Sequence, residues 1–525
     1  MVCPKHRLSA GLLVVVLVEA VNAVPSAPVA AEAAYAVLSA PVAEAAVLAV
    51  AANAGLLVVV LVEAVNAVLS APVAAEAAYA VLSAPVAGGN ILLPKLATSL
   101  LHFEKAGKHL FFAPNIPNWI VANKNSAILL FSCDGTRTDE EIFSSFNLQG
   151  QMREDVIRLF KLALSRGILQ GNYPNATTQP STAPDNFTEV GKGSLRSVHI
   201  KLTNECNLRC KYCYATSGKP SDTMSLDVLR RVAKEVAEIS ESVEYLLSGG
   251  EPLLHPHALT FAEAVFSSGN AVHLLTNGVL INNDETARRV AATTNIVKIS
   301  VDGSTEAIHA LSRGKGNLDA VNKAIDLLDR HGANVMVSMT VSKKNMHDLA
   351  NMSARYGSRL TLQPLFKAGR GKGKTNEALT GEEYYRAMDE VDGIAPMGRV
   401  AQVVEGLRGR GVKKCALADR EISISETGEV YPCQLLHAPE FLAGNVYTSS
   451  LGDIYFTSPV LKKMRSINVD TLDECSKCPI RLICAGGCRA RDYYESGSVE
   501  TVGEFCEYEK LALINGILDS SAFDA

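Results

Sequence analysis

The sequence lacks both a surplus of basic residues and a hydrophobic run long enough to span a membrane. Lys and Arg number 50 against 55 Asp and Glu in 525 residues, which gives a net charge of −5. No overall positive field is therefore available to attract nucleic acid. The apolar run at residues 12–18 is short, and Glu19 and Glu63 interrupt both copies of the repeat that contains it. Neither copy reaches the length of a membrane span.

The first 95 residues are an Ala/Val-rich tandem repeat. Residues 11–43 recur at 55–87 with one change, Pro25 against Leu69. Copies this similar indicate a recent duplication, because a folded repeat array needs only matching core positions. Residues 1–23 imitate a secretion signal, with basic residues before an apolar run. We nevertheless interpret residues 1–95 as a low-complexity segment, unstructured or an artefact of start-site choice, rather than as a working signal or anchor.

Ten of the twelve cysteines are concentrated in two places, and the first group lacks a fourth member. Cys206, Cys210 and Cys213 follow a strand-like run at residues 197–202. Iron-sulfur clusters of this type normally take four cysteines, so three in one tight loop would leave one iron for a small molecule. This pattern indicates a catalytic site. The alternatives are a zinc site or three buried cysteines.

The loop resembles the signature of the radical S-adenosylmethionine (SAM) enzymes, including Tyr212 directly before the last cysteine. The resemblance implies a [4Fe-4S] cluster whose open iron is chelated by SAM. It also implies that an electron from a reductant such as flavodoxin or ferredoxin cleaves SAM to a 5'-deoxyadenosyl radical, which abstracts hydrogen from carbon. Clustered cysteines read as metal ligands in a reducing compartment, so we expect a cytoplasmic protein.

Residues 195–395 alternate between strand and helix patterns. Strands are predicted at 198–202, 243–247, 272–275, 296–301, 334–340 and 360–366, and helices include 225–239, with Ser225 as N-cap, and 317–331. Such alternation predicts an α/β fold with a parallel sheet and the chemistry at the carboxyl ends of its strands. Six units match the partial (β/α)6 barrel of the radical SAM family.

The resemblance also assigns SAM contacts at these strand ends. The Gly-Gly-Glu-Pro motif after the second strand binds the amino group of SAM largely through backbone oxygen in that family. Residues after the fourth strand contact the ribose, and a later arginine pairs with the carboxylate. The residues expected to bind the cofactor are Tyr212, Gly249, Gly250, Glu251, Pro252, Ser300, Asp302 and Arg313. No catalytic side chain is identified.

A glycine- and lysine-rich stretch at residues 368–375 nearly fits a phosphate-binding loop. That motif needs a helix starting at its lysine, and the residues that follow are weakly helical. We interpret the stretch as a basic, flexible rim near the active-site mouth or as a solvated loop.

The second cysteine group, within residues 396–525, resembles the SPASM extension of radical SAM enzymes. The resemblance implies two auxiliary clusters. Cys475, Cys478, Cys484 and Cys506 hold one, and Cys415, Cys433 and Cys488 hold the other. Some relatives add an eighth cysteine, but residues 400–414 contain none. The three-cysteine cluster therefore has an open iron, a ligand other than cysteine, or only two irons. Zinc knuckles are the alternative for the whole array.

Residues 96–170 predict a small winged-helix-like domain, followed by a polar, proline-rich linker at 171–194. The domain resembles the peptide recognition element related to the small chaperone of pyrroloquinoline quinone synthesis. The matching residues are Asn123, the turn at 133–138, Glu141 with Ile142, and 167–169. In that family the leader of a substrate peptide adds as a strand to the sheet edge.

Together these resemblances predict a radical SAM peptide maturase. It would take hydrogen from a ribosomally made peptide held by its leader and form a thioether or carbon-carbon crosslink. The alternatives are sulfatase-maturase-like side-chain oxidation of a protein, and a non-catalytic iron-sulfur electron-transfer or binding protein. We expect neither a nucleic acid nor a membrane as partner.

Overall fold

The structure, a computed structural model, describes residues 93–115, 117–171, 190–218, 223–389 and 406–520. Residues 1–92 of the predicted low-complexity repeat and most of the predicted linker lie outside these ranges. Within the described ranges, no helix is both long and apolar enough to cross a membrane.

The first described region is a three-stranded antiparallel sheet followed by three helices. Its strands pair in chain order, and two short strands, β1 and β5, pair antiparallel and join the ends of the region. The elements are β1 (Lys95–Leu96), β2 (Leu101–Lys105), β3 (Lys108–Ala113), β4 (Asn118–Ala122), α1 (Lys124–Phe131), α2 (Asp139–Ser145), α3 (Gly150–Ser165) and β5 (Leu169–Gln170).

Local chemistry explains two of these elements. Thr138 and Glu141 form a capping box, so α2 begins where the turn pattern predicts. Strand β2 was missed by the sequence analysis. It pairs with β3 through a tight turn in which Ala106 and Gly107 both have positive φ, at 50° and 76°. Such turns match the twist of an antiparallel pair.

The predicted parallel sheet is confirmed. All six predicted strands are present, and they lie side by side in the order β11-β10-β9-β8-β7-β6. The strands are β6 (Ser197–Thr203), β7 (Glu244–Gly249), β8 (Ala271–Thr276), β9 (Ile296–Ser300), β10 (Val335–Val341) and β11 (Leu360–Pro364). The helices between and after them are α4 (Leu226–Ile239), α5 (Ala258–Ser267), α6 (Asp284–Thr293), α7 (Glu306–Arg313), α8 (Leu318–Arg330), α9 (Leu349–Tyr356) and α10 (Gly381–Asp389).

Helix α4 illustrates why the layers form. The Ser225 hydroxyl accepts a hydrogen bond from the Val228 N–H at 3.4 Å, as an N-cap should. Leu229, Val232 and Val236 are buried at helical spacing and pack in the core of the sheet.

The C-terminal region extends this sheet. Strand β12 pairs parallel with β6, and β13 and β14 continue antiparallel. In the described residues this sheet therefore has nine strands. The elements are β12 (Glu421–Ile424), β13 (Glu429–Tyr431), β14 (Gly444–Asn445), α11 (Leu451–Thr457), α12 (Pro459–Ser466), α13 (Asp473–Ser476), α14 (Arg481–Cys484), α15 (Arg489–Ser496) and α16 (Cys506–Ser520). One hydrophobic core therefore runs from the barrel into this region.

The N-terminal sheet packs on the C-terminal cysteine region. Its buried face shares a hydrophobic core with α14 and α16, formed by Leu110, Phe112, Trp119, Val121, Ile480, Ile483, Ile517 and Leu518. Lys105 pairs with Asp519 at 2.9 Å, and the Lys108 ammonium donates to the Leu518 carbonyl at 2.8 Å. Cys478 packs against the edge of the same core.

Candidate functional site

The loop carrying Cys206, Cys210 and Cys213 leaves the carboxyl end of β6 and is held by the loop after β7. The Gly250 N–H donates to the Thr203 carbonyl and the Glu251 N–H to the Glu205 carbonyl, both at 2.7 Å. A Cβ at Gly250 would lie 2.0 Å from the Glu205 oxygen. The close approach that requires glycine here is thus to the cysteine loop.

Arg370 holds the same loop from the opposite side. Its backbone N–H donates to the Cys213 carbonyl at 2.9 Å, and its guanidinium donates to the Cys210 and Ser217 carbonyls at 2.8 and 2.7 Å. The segment is a short 3-10 helix, Gly369–Gly373, and the next α-helix starts only at Gly381. Interpretation of this stretch as a flexible or solvated rim was therefore wrong at Arg370, and no phosphate-binding loop is formed.

Two of the three sulfur atoms, those of Cys206 and Cys210, lie near hydrogen-bond donors. The Leu208 N–H points to the Cys206 sulfur at 3.4 Å, and Asn277 Nδ2 lies 4.0 Å from the same atom. Arg313 Nη1 lies 4.0 Å from the Cys210 sulfur. Donors around cluster sulfurs stabilise the thiolate form and tune a cluster's potential. Burial raises the pKa of the Cys206 thiol to about 11, so iron binding must supply the drive for its deprotonation.

These features fit an iron-sulfur cluster. The three thiols are free, partly buried and presented by one loop.

Asp302 and Arg313 form a buried pair behind the loop. The Arg313 guanidinium donates to Asp302 through Nε at 2.8 Å and Nη2 at 3.4 Å. Asp302 is fully buried and also accepts from the Tyr212 hydroxyl and, at 3.0 Å, from the Thr340 N–H. The carboxylate predicted to contact ribose is thus fully engaged by protein groups. The remaining guanidinium nitrogen, Nη1, faces the cysteine loop.

Glu251 and Ser300 occupy different environments. The Glu251 carboxylate is fully buried and accepts from Thr276 Oγ1 at 2.7 Å and the Asn277 N–H at 2.8 Å, while burial raises its pKa to about 6. Its side chain ties β7 to β8, which leaves only backbone atoms for a ligand. Ser300 ends β9 beside Ser338 of β10, on the strand face opposite the buried Ile299.

Cys506 lies close to the other three cysteines of the first C-terminal set, Cys475, Cys478 and Cys484. Burial is the main cause of the raised pKa of Cys506, and the Cys478 and Cys475 thiols contribute to it. Ala485, Gly486 and Gly487 have positive φ and turn the chain from Cys484 toward the other group.

The second group contains Cys415, Cys433 and Cys488. Burial raises the pKa of the Cys415 thiol to about 11, with contributions from Cys488 and Glu421. Burial also raises the pKa of Cys433, and Glu421 is the largest charged contributor there. Glu421 had not been identified from the sequence.

A buried polar chain connects this group with the barrel. His199 of β6 contacts Ser423 Oγ at 3.0 Å and Ser248 Oγ at 2.6 Å through its two ring nitrogens. Ser423 also contacts His437 Nε2 at 2.9 Å, and Ser248 is hydrogen bonded to Tyr214, which lies near Cys433. Burial lowers the pKa of His199 to about 3, so this ring is neutral at neutral pH.

Four of these residues were missed by the sequence analysis, namely Asn277, Arg370, Glu421 and His199. Asn277 carried a usable signal, since it lies two residues after a predicted strand, where polar side chains of a parallel sheet meet. The other three depend on contacts between distant segments, which a single sequence does not display.

Family comparisons match the two cysteine regions separately. The model of the radical SAM superfamily matches residues 200–354, and that of an iron-sulfur cluster-binding domain, SPASM, matches residues 415–479.

Two curated relatives are similar to parts of this chain. The mycofactocin maturase MftC of Mycobacterium tuberculosis is 26% identical over 324 residues, 56% of this chain and 78% of that protein. The antilisterial bacteriocin subtilosin biosynthesis protein AlbA of Bacillus subtilis is 27% identical over 383 residues, 70% of this chain and 83% of that protein. Among solved structures, anSMEcpe with bound AdoMet is 21% identical with a TM-score of 0.52, covering 62% of this chain and 96% of that one. This structural likeness supports the fold.

Proposed function

We propose that this enzyme, which has the radical SAM fold with a C-terminal SPASM domain, modifies a ribosomally made peptide by hydrogen abstraction and crosslinking. The names of MftC and AlbA, a maturase and a bacteriocin biosynthesis protein, support a peptide substrate. The observation that carries the proposal is the cysteine loop at the carboxyl end of β6, with donors aimed at its sulfurs.

In this proposal the chain's own residues bind and orient. Cys206, Cys210 and Cys213 hold the cluster, which when bound supplies the electron for cleavage of SAM. Arg313 directs one guanidinium nitrogen toward the Cys210 sulfur, while its pairing with Asp302 fixes that direction. An arginine held in this way suits a carboxylate ligand. Glu251 braces the adjacent backbone.

The N-terminal region supplies a surface for the leader of the peptide. A groove of about 580 Å³ lies between α1 and α3, lined by residues that include Ser126, Asp155, Val156, Arg158 and Leu162. Exposed apolar side chains are concentrated in the same region; of eleven large ones in the described residues, five lie there, namely Leu93, Ile128, Phe131, Phe146 and Met152. Such concentrations mark interaction surfaces.

The position of this region supports a path for the peptide. Its sheet shares a core with α14 and α16, and Cys478 packs at the edge of that core. A leader bound there would enter beside the auxiliary-cluster region. We further propose two auxiliary clusters held by the seven C-terminal cysteines, a flavodoxin or ferredoxin as reductant, and the cytoplasm as location. The eleven described cysteines are all free thiols, which supports a reducing compartment.

The test is anaerobic incubation of reduced enzyme and SAM with the short peptide encoded beside this gene. We expect 5'-deoxyadenosine and a peptide lighter by two hydrogens, both measured by mass spectrometry. Absence of 5'-deoxyadenosine would overturn radical chemistry, and an unchanged peptide mass would overturn crosslinking. Equal turnover of a peptide without its leader would overturn leader capture and favour direct side-chain oxidation of a protein.

A charge reversal tests the groove. Arg158→Glu should raise the KM for the full peptide about fivefold or more, since it places like charges beside Asp155 in the groove. Arg288→Glu is the matched control, because Arg288 also pairs three residues back on a helix and its side chain is 59% exposed against 58% for Arg158. Equal KM values for both variants would exclude this groove.

A further inference from the structure

The three-cysteine group Cys415, Cys433 and Cys488 contains a fourth group with ligand chemistry. The carboxylate of Glu421 lies beside the Cys433 thiol. Glu421 also contributes to the electrostatic environment of Cys415, which in turn is coupled to Cys488. All four side chains are therefore neighbours between β12 and the start of α15, and each is partly exposed.

Backbone contacts fix Glu421 in this position. Its N–H donates to the Ala416 carbonyl at 2.9 Å, so it lies next to Cys415 in space. The Gln434 N–H reaches its Oε1 at 3.5 Å, next to Cys433. Glu421 opens β12 in register with Ser197, and Ser423, two residues on, points to His199. Since residues two apart share a strand face, Glu421 faces the barrel side of the sheet.

The carboxylate has no cation to compensate it. Among the described residues no ion pair includes Glu421, and its contacts are the Gln434 N–H and the Cys433 thiol. A carboxylate withdrawn from water is ordinarily paired with a cation or coordinates a metal, and the Glu421 carboxylate is partly withdrawn. Because three thiols lie near this carboxylate, metal coordination is the arrangement that its surroundings favour.

We propose that the Glu421 carboxylate is the fourth protein ligand of the iron-sulfur cluster held by Cys415, Cys433 and Cys488. The inference rests on the proposed auxiliary cluster at these cysteines. It assigns the position for which the sequence offered no eighth cysteine. It also implies that this cluster has no iron open to the peptide, so its role is electron acceptance.

The test uses the full-length enzyme, reconstituted anaerobically with 57Fe and studied by Mössbauer and EPR spectroscopy without peptide. Cyanide serves as the probe of an open iron. We expect the wild-type auxiliary-cluster EPR signals to be unchanged by cyanide and those of Glu421→Ala to shift. Glu421→Cys should keep the wild-type iron content and resist cyanide, but show a changed midpoint potential, because a thiolate replaces the carboxylate. Glu429→Ala, which changes a carboxylate on the adjacent β13 away from the cysteines, should behave as wild type.

Three outcomes would overturn the assignment. These are cyanide-induced shifts of an auxiliary cluster in the wild type, an unchanged potential in Glu421→Cys, or a two-iron Mössbauer pattern that Glu421→Cys leaves unaltered. None of these spectroscopic measurements depends on peptide turnover. Loss of the proposed peptide activity would therefore not contradict the ligand assignment, and a wrong ligand assignment would not contradict the peptide activity.

Discussion

The two cysteine regions are built in opposite ways. The radical loop presents its three cysteines within residues 206–213, while the C-terminal array spreads seven across residues 415–506. The loop is held by backbone hydrogen bonds from the strand-end loop after β7 and from Arg370. Its shape is therefore set by the barrel before any iron binds.

The array depends instead on buried charges and turns. Arg489 is 4% exposed, pairs with Asp492 and donates to the Thr501 carbonyl at 3.1 Å. Arg491 pairs with Glu509 and stacks on Phe505 with 4.1 Å to the ring centre. These contacts join α15 to α16, and thereby Cys488 to Cys506. The cysteines of the loop are thus close together in the sequence, whereas those of the array are brought together by long-range contacts.

The largest expected effects on product formation come from substituting one cysteine in each region. Cys210→Ala removes one of only three ligands of the loop cluster, so we expect no 5'-deoxyadenosine above background. Cys484→Ala acts in the array, and we expect it to retain 5'-deoxyadenosine formation while losing the modified peptide. Both products are measured by chromatography with mass detection after anaerobic reduction.

The buried Cys133 supplies the control for these substitutions, since its thiol donates to the Leu129 carbonyl and lies in the N-terminal region. Cys133→Ala should keep both products. If Cys484→Ala abolished SAM cleavage as completely as Cys210→Ala does, the two regions would act as one unit and the comparison would fail.

A smaller effect is expected at Arg370. Arg370→Ala deletes the two guanidinium hydrogen bonds to the Cys210 and Ser217 carbonyls. Hydrogen bonds of a charged donor contribute about 1.5–3 kcal/mol, so a loss of about 2 kcal/mol should weaken SAM binding roughly 30-fold. Equilibrium dialysis with SAM measures this. Lys372→Ala, an exposed change in the same 3-10 helix, should leave affinity unchanged, and equal affinities for both variants would contradict the role of Arg370.

Sequence patterns predicted the barrel well because its determinants are local. The strand at 198–202 and the helix at 225–239 reappear as β6 and α4 within two residues, and Ser225 is the cap that its position indicates. Apolar periodicity and capping act over a few residues, so one chain displays them. The cysteine motifs were likewise visible, since the family motifs are spacings along the chain, and the ligand sets that they imply stay predictions.

Tertiary pairing was not predictable in this way. No local pattern shows that β12 adds to β6, more than 200 residues earlier, and this pairing brings Ser423 to His199 and Glu421 to Cys433. Strand β2 was missed for a different reason, because its exposed face carries His102 and Glu104 and its burial is weak. Arg370 lies in a stretch that resembles a phosphate-binding loop, and that resemblance gave no indication of its contacts with the cysteine loop.

The smallest effect concerns His199, which joins the two regions. Burial lowers its pKa from the ordinary 6.5 to about 3. Below pH 6.5, His199 therefore binds a proton in the unfolded chain but stays neutral in the folded chain. The stability contributed by neutral His199 is therefore present above pH 6.5 and is lost as pH falls through the window from 6.5 to about 3. Within this window, the free energy of unfolding should fall by about 1.4 kcal/mol for each pH unit.

His199→Gln should reduce the fall in the free energy of unfolding between pH 6.5 and 5.5 by about 1 kcal/mol. Anaerobic urea titration of the holoenzyme measures it, over conditions in which cluster absorbance is constant. His257→Gln, an exposed change at the start of α5, should follow the wild type. His437, whose pKa burial lowers to about 2, remains in both and keeps a residual slope. An unchanged slope in His199→Gln would mean that the contact between β6 and β12 opens on acidification, and that the array separates from the barrel before the barrel unfolds.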